Sequence, residues 1–451
     1  MDATTQTAIA AVAGIVILIL LITWAKVHPF IALFVSALII GIGAGYGAVP
    51  TVTSFSNTFG STMASVGILV GLGAMFGKLL ADSGGADRIV DTLVSHSSPK
   101  ALPWMMALAG AIIGLPMFFE VGLVLLVPVI LLVAKRSGLP LMRIAIPTLA
   151  GLSAMHGLVP PHPGPLAALA NFPSASLGLT IGLGILVAIP TVIISGPIFS
   201  KFAAKWVDVP VPALADTFIS SADQAEGRRK PSFLASVLTV LLPVVLMLLH
   251  ALYQVAVPDD ESVAASVIEF LGTPAIALAL GLIVGMFSLG VSSGMKWKDI
   301  NSSLGSGLPA IAGILLIVGA GGGLKGVLVD TGIGEMIAKF VEGSSVPIVL
   351  LAWLVAVFVR IATGSATVSI VTTAGILAPV AASMPTLEVS LLVLAIGAGS
   401  VFLSHVNDAG FWLVKEYFGL SVGQTFKSWS MMESVLSVVA LVFVLILNLF
   451  V

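Results

Sequence analysis

The sequence predicts an all-α polytopic membrane protein made of two inverted repeats. Of its 451 residues, 58% are hydrophobic and 9% are charged, whereas a soluble protein carries about 25% charged residues. Apolar runs long enough to cross a bilayer recur along the whole chain, and the two halves repeat the same order of glycine-rich and polar interruptions. Each repeat is predicted to contain about five transmembrane helices, a re-entrant hairpin and a broken helix.

The composition also excludes several classes of function. A soluble multidomain protein of this length would need far more charge to cover its surface. The net charge is −2 and no basic tract is present, so we expect no nucleic-acid partner. Without cysteine, the chain can form no disulfide, cysteine-ligated zinc site or iron–sulfur cluster. We expect no metal and no cofactor, and the lack of a Walker A motif argues against ATP as the energy source.

Apolar runs of membrane-spanning length are the predicted transmembrane helices. The first lacks the basic leader and the cleavage site of a signal peptide and is interpreted as a membrane helix. The runs are 8–24, 30–48, 62–80, 139–155, 177–199, 233–256, 266–289, 309–329, 384–404 and 431–450. Two longer apolar stretches, 101–134 and 346–382, are interrupted at their centres by small or polar residues. They are predicted to be re-entrant hairpins.

A charged loop sets the predicted topology. Residues 201–231 contain nine charged residues, and their lysines and arginines place this loop in the cytoplasm by the positive-inside rule. Lys26 follows the first span, whereas no basic residue precedes that span. The N-terminus and the C-terminus are therefore both predicted to lie outside the cytoplasm.

Matching stretches in the two halves predict the repeat. Residues 67–84 begin with Gly-Ile-Leu and end with Asp-Ser-Gly, and residues 313–332 begin with the same triplet and end with Asp-Thr-Gly. An odd number of crossings per copy would invert the second copy; chance similarity between glycine-rich apolar sequences is the alternative. The predicted division is a first repeat 1–200 with hairpin 101–134 and broken helix 139–170, a cytoplasmic linker 201–231, and a second repeat 232–451 with hairpin 346–382 and broken helix 384–414.

The centre of the first hairpin carries three candidate site residues. Gly114 and Pro116 weaken the helix, and Glu120 follows them. An ionisable side chain at membrane depth is costly and is a functional candidate for that reason. The alternative is a glutamate held in a structural salt bridge.

The centre of the second hairpin is rich in hydroxyl groups. Thr363, Gly364, Ser365 and Thr367 follow Arg360. Hydroxyls can donate to and accept from a polyol, the amides of a helix that starts here would face an anion, and an arginine can pair with a carboxylate through two hydrogen bonds. Ordinary packing of serine and threonine between helices is the alternative.

Two further helix breaks carry histidines and polar residues. His156 and His162 lie in a segment too rich in proline and glycine to continue a helix. His405, Asn407 and Asp408 interrupt the apolar sequence near the end of the second half, and we expect His405 to correspond roughly to His156. Histidine can relay protons near neutral pH, and buried carboxyls are candidate proton carriers. Plain loops outside the membrane are the alternative for both segments.

Other residues and motifs are set aside. Lys78 and Lys325 lie near the ends of equivalent spans and are predicted to reach the membrane interface rather than the site. Gly321, Gly323 and Gly326 have the spacing of a dinucleotide-binding loop, but no strand precedes them.

Several motifs resemble those of the gluconate permease (GntP) family over almost the whole chain. They are GLPMFFEVG at 114–122, SAMHGLVPPHPGPLAA at 153–168, VHPFIAL at 27–33, ADSGGADRI at 81–89 and SHVNDAGFWLVKEYFG at 404–419. The resemblance implies a bacterial inner-membrane symporter of protons with gluconate or a related sugar acid, with periplasmic termini. Some relatives carry D-serine or other small hydroxylated carboxylates. It further implies that the hairpin tips and helix breaks form the substrate site, and that this part slides as an elevator against a homodimeric scaffold.

The resulting expectation is proton-coupled uptake of a small anionic sugar acid, and not catalysis. The substrate carboxylate would meet helix N-termini and Arg360, and its hydroxyls would meet Ser365, Thr367, Asn407 and His156. Protonation of Glu120 or Asp408, with His156 as a further candidate, would accompany loading. The alternatives are an intramembrane hydrolase with Ser153 or Ser365 as nucleophile, and a passive channel.

Overall fold

The fold is helical throughout the part of the chain that the structure describes. The computed structural model describes residues 3–95, 97–115, 117–160, 162–169, 171–172, 174–213, 229–257, 260, 262–332, 346–382 and 384–450. Within these ranges seven helical segments are long and apolar enough to cross a membrane, or up to eight if one bent pair counts as a single span. The predicted all-α polytopic membrane fold is confirmed.

The described helices before the charged loop overlap each predicted span, and two further helices at 48–62 and 85–95 were not predicted. They are α1 (Ala3–Thr23), α2 (Pro29–Gly43), α3 (Ala48–Thr62), α4 (Ile68–Asp82), α5 (Gly85–Ser95), α6 (Leu102–Gly114), α7 (Phe119–Ser137), α8 (Leu141–Leu158), α9 (Pro163–Leu169), α10 (Leu177–Ile193) and α11 (Ser200–Trp206). Of the predicted linker 201–231, residues 214–228 lie outside the described ranges.

The described helices after the loop complete the fold. They are α12 (Phe233–Ala256), α13 (Val263–Gly272), α14 (Pro274–Gly285), α15 (Trp297–Ser306), α16 (Pro309–Asp330), α17 (Ile348–Thr363), α18 (Ala366–Ala381), α19 (Thr386–Ser400), α20 (Ala409–Tyr417), α21 (Val422–Thr425) and α22 (Met431–Asn448).

Short π-helical turns join some of these helices end to end. Met63–Gly67 links α3 to α4, Ile194–Ile198 leads from α10 towards α11, and Phe426–Ser430 links α21 to α22. The last link produces one helical span from Val422 to Asn448. The run 62–80 is therefore part of a longer helix that begins with α3.

One predicted span is divided in the structure. The run 266–289 covers most of α13 and all of α14, which meet at Thr273. The ψ angle of Thr273 is 128°, outside the helical range, because the proline ring of Pro274 disfavours a helical conformation in the residue before it.

The four predicted interruptions separate helices. The first hairpin turns between α6 and α7, and the second turns at Gly364 and Ser365 between α17 and α18. The chain leaves α8 at Leu158 and re-enters a helix at Pro163, and it leaves α19 at Ser400 and re-enters at Ala409.

The two halves pack against each other in a reciprocal pattern. α7 of the first hairpin packs on α20, which follows the second break, and α18 of the second hairpin packs on α9, which follows the first break. In the same way α10 packs on α19, and α22 packs on α8. α8 and α19 touch at Gly157 and Gly397, where a Cβ atom on Gly397 would lie 1.9 Å from the carbonyl oxygen of Gly157. This packing brings the first turns of α7, α18 and α20 together.

Candidate functional site

A cavity of about 530 Å³ lies where the described residues of the two halves meet. The first turns of α7, α18 and α20 line it, together with side chains from α8, α16 and α22. Its volume is in the range typical of small-molecule sites. Eight of the residues predicted for substrate or protons line it: Glu120, His156, Arg360, Gly364, Ser365, Thr367, Asn407 and Asp408.

The second hairpin presents the N-terminus of α18 to this cavity. Gly364 ends α17 with a φ angle of 66°, a left-handed conformation that glycine adopts without steric cost. Ser365 caps α18, since its Oγ accepts a hydrogen bond from the amide of Val368 at 3.3 Å. The first-turn amides of a helix have no intrahelical partner, so those of Ala366 and Thr367 can serve an anion in the cavity.

Asp408 caps α20 at the opposite wall. Its Oδ1 accepts from the amide of Gly410 at 2.9 Å, and its Oδ2 accepts from Arg360 Nη2 at 2.5 Å and from the hydroxyl of Ser404. A proton on this carboxyl would compete with these donors. The arrangement therefore supports a structural role for Asp408 more than the predicted role in carrying protons.

Glu120 lies in the first turn of α7 and is partly exposed to the cavity. The charges that act on it are those of Asp408, Lys325 and Arg360. The ring of the preceding Phe119 packs on Trp429 with centroids 4.7 Å apart. The first turns of three helices thus meet at one cavity, and the partial positive charge of each helix N-terminus contributes an attraction for an anion.

Lys325 is a cavity residue, so its predicted place at the membrane interface is corrected. It lies five residues before the end of α16 and interacts electrostatically with Glu120 and Asp408. α16 packs tightly on α3, and a Cβ atom on Gly322 would lie 2.0 Å from Thr62 Oγ1. Lys325 is one helical turn from Gly321, so the two share a face, and both line the cavity. By contrast, Lys78 is paired with Asp82 at 2.7 Å.

Four residues predicted to bind substrate do not line the cavity: Gly114, His162, Thr363 and His405. Gly114 packs against the backbone of α8, where a Cβ atom would lie 2.8 Å from the Cα of Leu152. The hydroxyl of Thr363 donates to the carbonyl of Val359 within α17 at 2.7 Å. Pro116, a fifth predicted residue, lies outside the described residues.

The two break histidines hold the hairpin tips instead. His162 Nε2 lies 3.0 Å from the carbonyl oxygen of Met117 in the first tip. Since the Nδ1 of this ring accepts from the amide of Gly164 at 3.2 Å, Nε2 is the donor. His405 Nε2 lies 2.9 Å from the carbonyl oxygen of Ile361 near the second tip. His405 therefore makes the same kind of contact as His162, whereas its expected match with His156 in the repeat stays a prediction.

Two other predicted residues, Asn407 and His156, have polar atoms without a hydrogen-bond partner in the described chain. Asn407 donates from Nδ2 to the carbonyls of Ile361 and Ala362 at 2.9 and 3.3 Å. Its Oδ1 is buried without a hydrogen-bond partner in the described chain. The Nδ1 of His156 is likewise buried without a hydrogen-bond partner in the described chain. The ring centroids of His156 and His162 are 4.3 Å apart. Both side chains can therefore bind a polar ligand.

Polar residues of the cavity wall that were not predicted to bind substrate or protons include Ser153, Trp429 and Glu433. Glu433 lies in the first turn of α22 and interacts with the hydroxyl of Ser153. Trp429 donates from Nε1 to Ser404 Oγ at 2.7 Å. The signal for Glu433 was available, since it is the single charged residue between Lys427 and the end of the chain. Ser153 was considered only as a nucleophile.

The groups around this cavity are able to recognise a hydroxylated anion. Helix N-termini, Lys325 and Arg360 supply positive charge, while hydroxyl, amide and imidazole groups supply hydrogen bonds. Among the described residues, no group of three or more histidine, aspartate and glutamate side chains is placed to hold a metal ion.

The chain is similar to known membrane permeases over nearly its full length. The family described as GntP family permease matches residues 6–450. A protein named gluconate permease from Pseudomonas aeruginosa is 48% identical over 97% of each chain. Two Escherichia coli K12 proteins, named high-affinity gluconate transporter and Gnt-II system L-idonate transporter, are 41% and 40% identical. Their alignments cover 96% and 97% of this chain and 98% of each relative.

Proposed function

Because this chain belongs to the GntP family of permeases, we propose that it transports gluconate or a related sugar acid together with protons across the bacterial inner membrane. The observation that carries the proposal is the convergence of three helix N-termini, Lys325 and Arg360 on one cavity. The names of its relatives support gluconate and L-idonate as the substrate class.

The carboxylate and the hydroxyls of the substrate would use different parts of the cavity. The carboxylate is proposed to bind near the first-turn amides of α18, with Lys325 and Arg360 supplying charge. Ser365, Thr367, Asn407 and His156 would bind the hydroxyls, because they line the cavity and offer both donors and acceptors.

Coupling is proposed to use a cavity carboxyl that gains and loses a proton. Glu120 fits this role better than Asp408, since Asp408 is held by donors from Arg360, Ser404 and Gly410. One proton per monoanion moves no net charge, so uptake would then depend on the pH gradient alone. A second proton would add about 2.3 kcal/mol per 100 mV of membrane potential.

Alternating access is proposed to proceed by an elevator movement of two inverted repeats in a homodimer, with both termini in the periplasm. The reciprocal packing of α7 on α20 and of α18 on α9 supports the repeat. Because the chain has no cysteine, single cysteines can test the topology. Cysteine at Lys296 should be labelled by an impermeant maleimide only from the cytoplasm, and cysteine at Asp260 only from outside.

Reconstituted protein tests the transport proposal. Proteoliposomes with an acidic exterior should accumulate radiolabelled gluconate above its external concentration, and dissipating the pH gradient should abolish accumulation. Unlabelled L-idonate, other sugar acids and D-serine, added as competitors, identify the substrate range. Uptake that never exceeds equilibration would indicate a channel, and chemically altered gluconate would indicate an enzyme.

A further inference from the structure

The carboxyl of Glu433 occupies an unusual position in the cavity wall. It stands eleven residues inside the helical span Val422–Asn448, which corresponds to roughly 16 Å from the start of that span at 1.5 Å per residue. Its residue is 1% exposed, yet it borders the cavity. A carboxyl at this depth is costly and needs a functional or structural reason.

The surroundings leave part of this carboxyl unsatisfied. Ser153 on α8 interacts with it, whereas Oε1 has no hydrogen-bond partner within the described chain. Arg360 from α17 and Asp408 from the segment before α20 act on it electrostatically, and the other titratable residues of the same cavity are Glu120, His156 and Lys325. Arg360 is already bound to Asp408. A permanently ionised carboxylate with one unpartnered buried oxygen would be strongly destabilising.

The other two cavity carboxyls differ from Glu433 in these respects. Asp408 receives three donors and caps α20. Glu120 is partly exposed and lies at a helix N-terminus, which favours negative charge. Glu433 has neither compensation: it lies in the first turn of α22, but the helical span runs on from Val422 without a break, so no free helix N-terminus faces it.

We propose that Glu433 is a protonation site of the transport cycle: it takes up a coupling proton from water while the cavity is open to the outside, stays neutral while the cavity is closed, and releases the proton to water when the cavity opens to the cytoplasm. Ser153 positions the carboxyl from the facing helix. The inference rests on the proposed function, because a coupling proton has meaning only in a proton-driven transporter.

The test compares accumulation with exchange in the same proteoliposomes. With a gradient of one pH unit, each coupled proton supports about tenfold accumulation of gluconate, and the wild type should reach at least this ratio. Glu433→Gln should accumulate less than about a quarter as much, while exchange of internal for external gluconate without a gradient continues. Glu388→Gln is the matched control, since Glu388 lies beside Asn448 at the other end of α22. It should behave as the wild type.

Each outcome decides the inference. Normal accumulation by Glu433→Gln in preparations where the wild type also accumulates would overturn it and leave the proposed function intact. Loss of both activities in Glu433→Gln and in Glu433→Asp would indicate a structural or binding role and would also overturn it. Recovery of accumulation by Glu433→Asp, which keeps the carboxyl, supports it. If the wild type moves no sugar acid at all, the proposed function fails and this inference fails with it.

Discussion

Arg360 and Asp408 lie 2.5 Å apart between Nη2 and Oδ2. The pair joins the last turn of α17 in the second hairpin to the N-cap of α20, so one buried contact connects the end of one helix to the start of another at the cavity. The Nε of Arg360 has no hydrogen-bond partner in the described residues and remains available to a substrate carboxylate.

Removing one partner of this pair should be more harmful than removing both. Arg360→Met leaves the Asp408 carboxylate buried and unpaired, which should lower the free energy of unfolding by about 3–5 kcal/mol. The double variant Arg360→Met with Asp408→Asn should recover most of that loss but should not transport. Denaturant unfolding in detergent and uptake in proteoliposomes measure the two effects. A double variant no more stable than the single one would contradict this account of the pair.

Lys325 and Lys78 should differ sharply despite their equivalent places in the sequence. Lys325→Gln removes a cavity charge, and charged hydrogen bonds contribute about 1.5–3 kcal/mol, so the KM for gluconate should rise about 10- to 100-fold. Lys78→Gln removes a charge that is paired with Asp82 and should leave KM within about threefold, because Lys78 does not line the cavity. Uptake measured as a function of gluconate concentration gives the KM of each variant. If the two substitutions changed KM equally, Lys325 would lie outside the site.

The break histidines should act through position rather than charge. His162→Ala and His405→Ala each remove a donor from a tip carbonyl, at a cost of about 1–3 kcal/mol. Amide hydrogen exchange should then quicken at 117–121 and at 361–368 respectively. Glutamine at either position keeps a donor and should restore much of the protection. Unchanged exchange in both alanine variants would show that the tips do not depend on these bonds.

The glycine contact between α8 and α19 should tolerate no side chain. Gly397→Ala places a Cβ atom 1.9 Å from the Gly157 carbonyl oxygen, and overpacking of this kind destabilises by about 1–3 kcal/mol or more. Gly375→Ala in α18 is the control, because no atom lies within 4 Å of its Cβ position. It should be neutral or stabilising by up to about 1 kcal/mol. Thermal unfolding in detergent distinguishes the two variants.

The sequence predicted the helix breaks because their cause is local. Proline, glycine and capping residues interrupt helices through their own backbone properties, so Gly364, Ser365 and Asp408 could be located without a structure. The sequence could not predict the contacts of His162 and His405, because those contacts depend on how each hairpin packs against a helix break elsewhere in the chain.

Which side chains of intact helices face the cavity was harder to predict from the sequence. Lys325 and Glu433 lie in uninterrupted apolar helices, where position relative to the cavity depends on helix rotation. The close packing of α16 on α3 sets that rotation for Lys325. The π turn Phe426–Ser430 shifts the register ahead of α22, and a 3.6-residue pattern does not predict such a shift.

The helix ends at the cavity give the site a permanent attraction for anions. Backbone amides have no proton to lose across the physiological range, so the contribution of α7, α18 and α20 stays constant when a cell acidifies or alkalises its surroundings. A pH profile of gluconate affinity would then be free of this background. Any inflection in this profile would come from titrating side chains alone. The profile would therefore separate the groups that bind the sugar acid from those that couple its transport to the proton gradient.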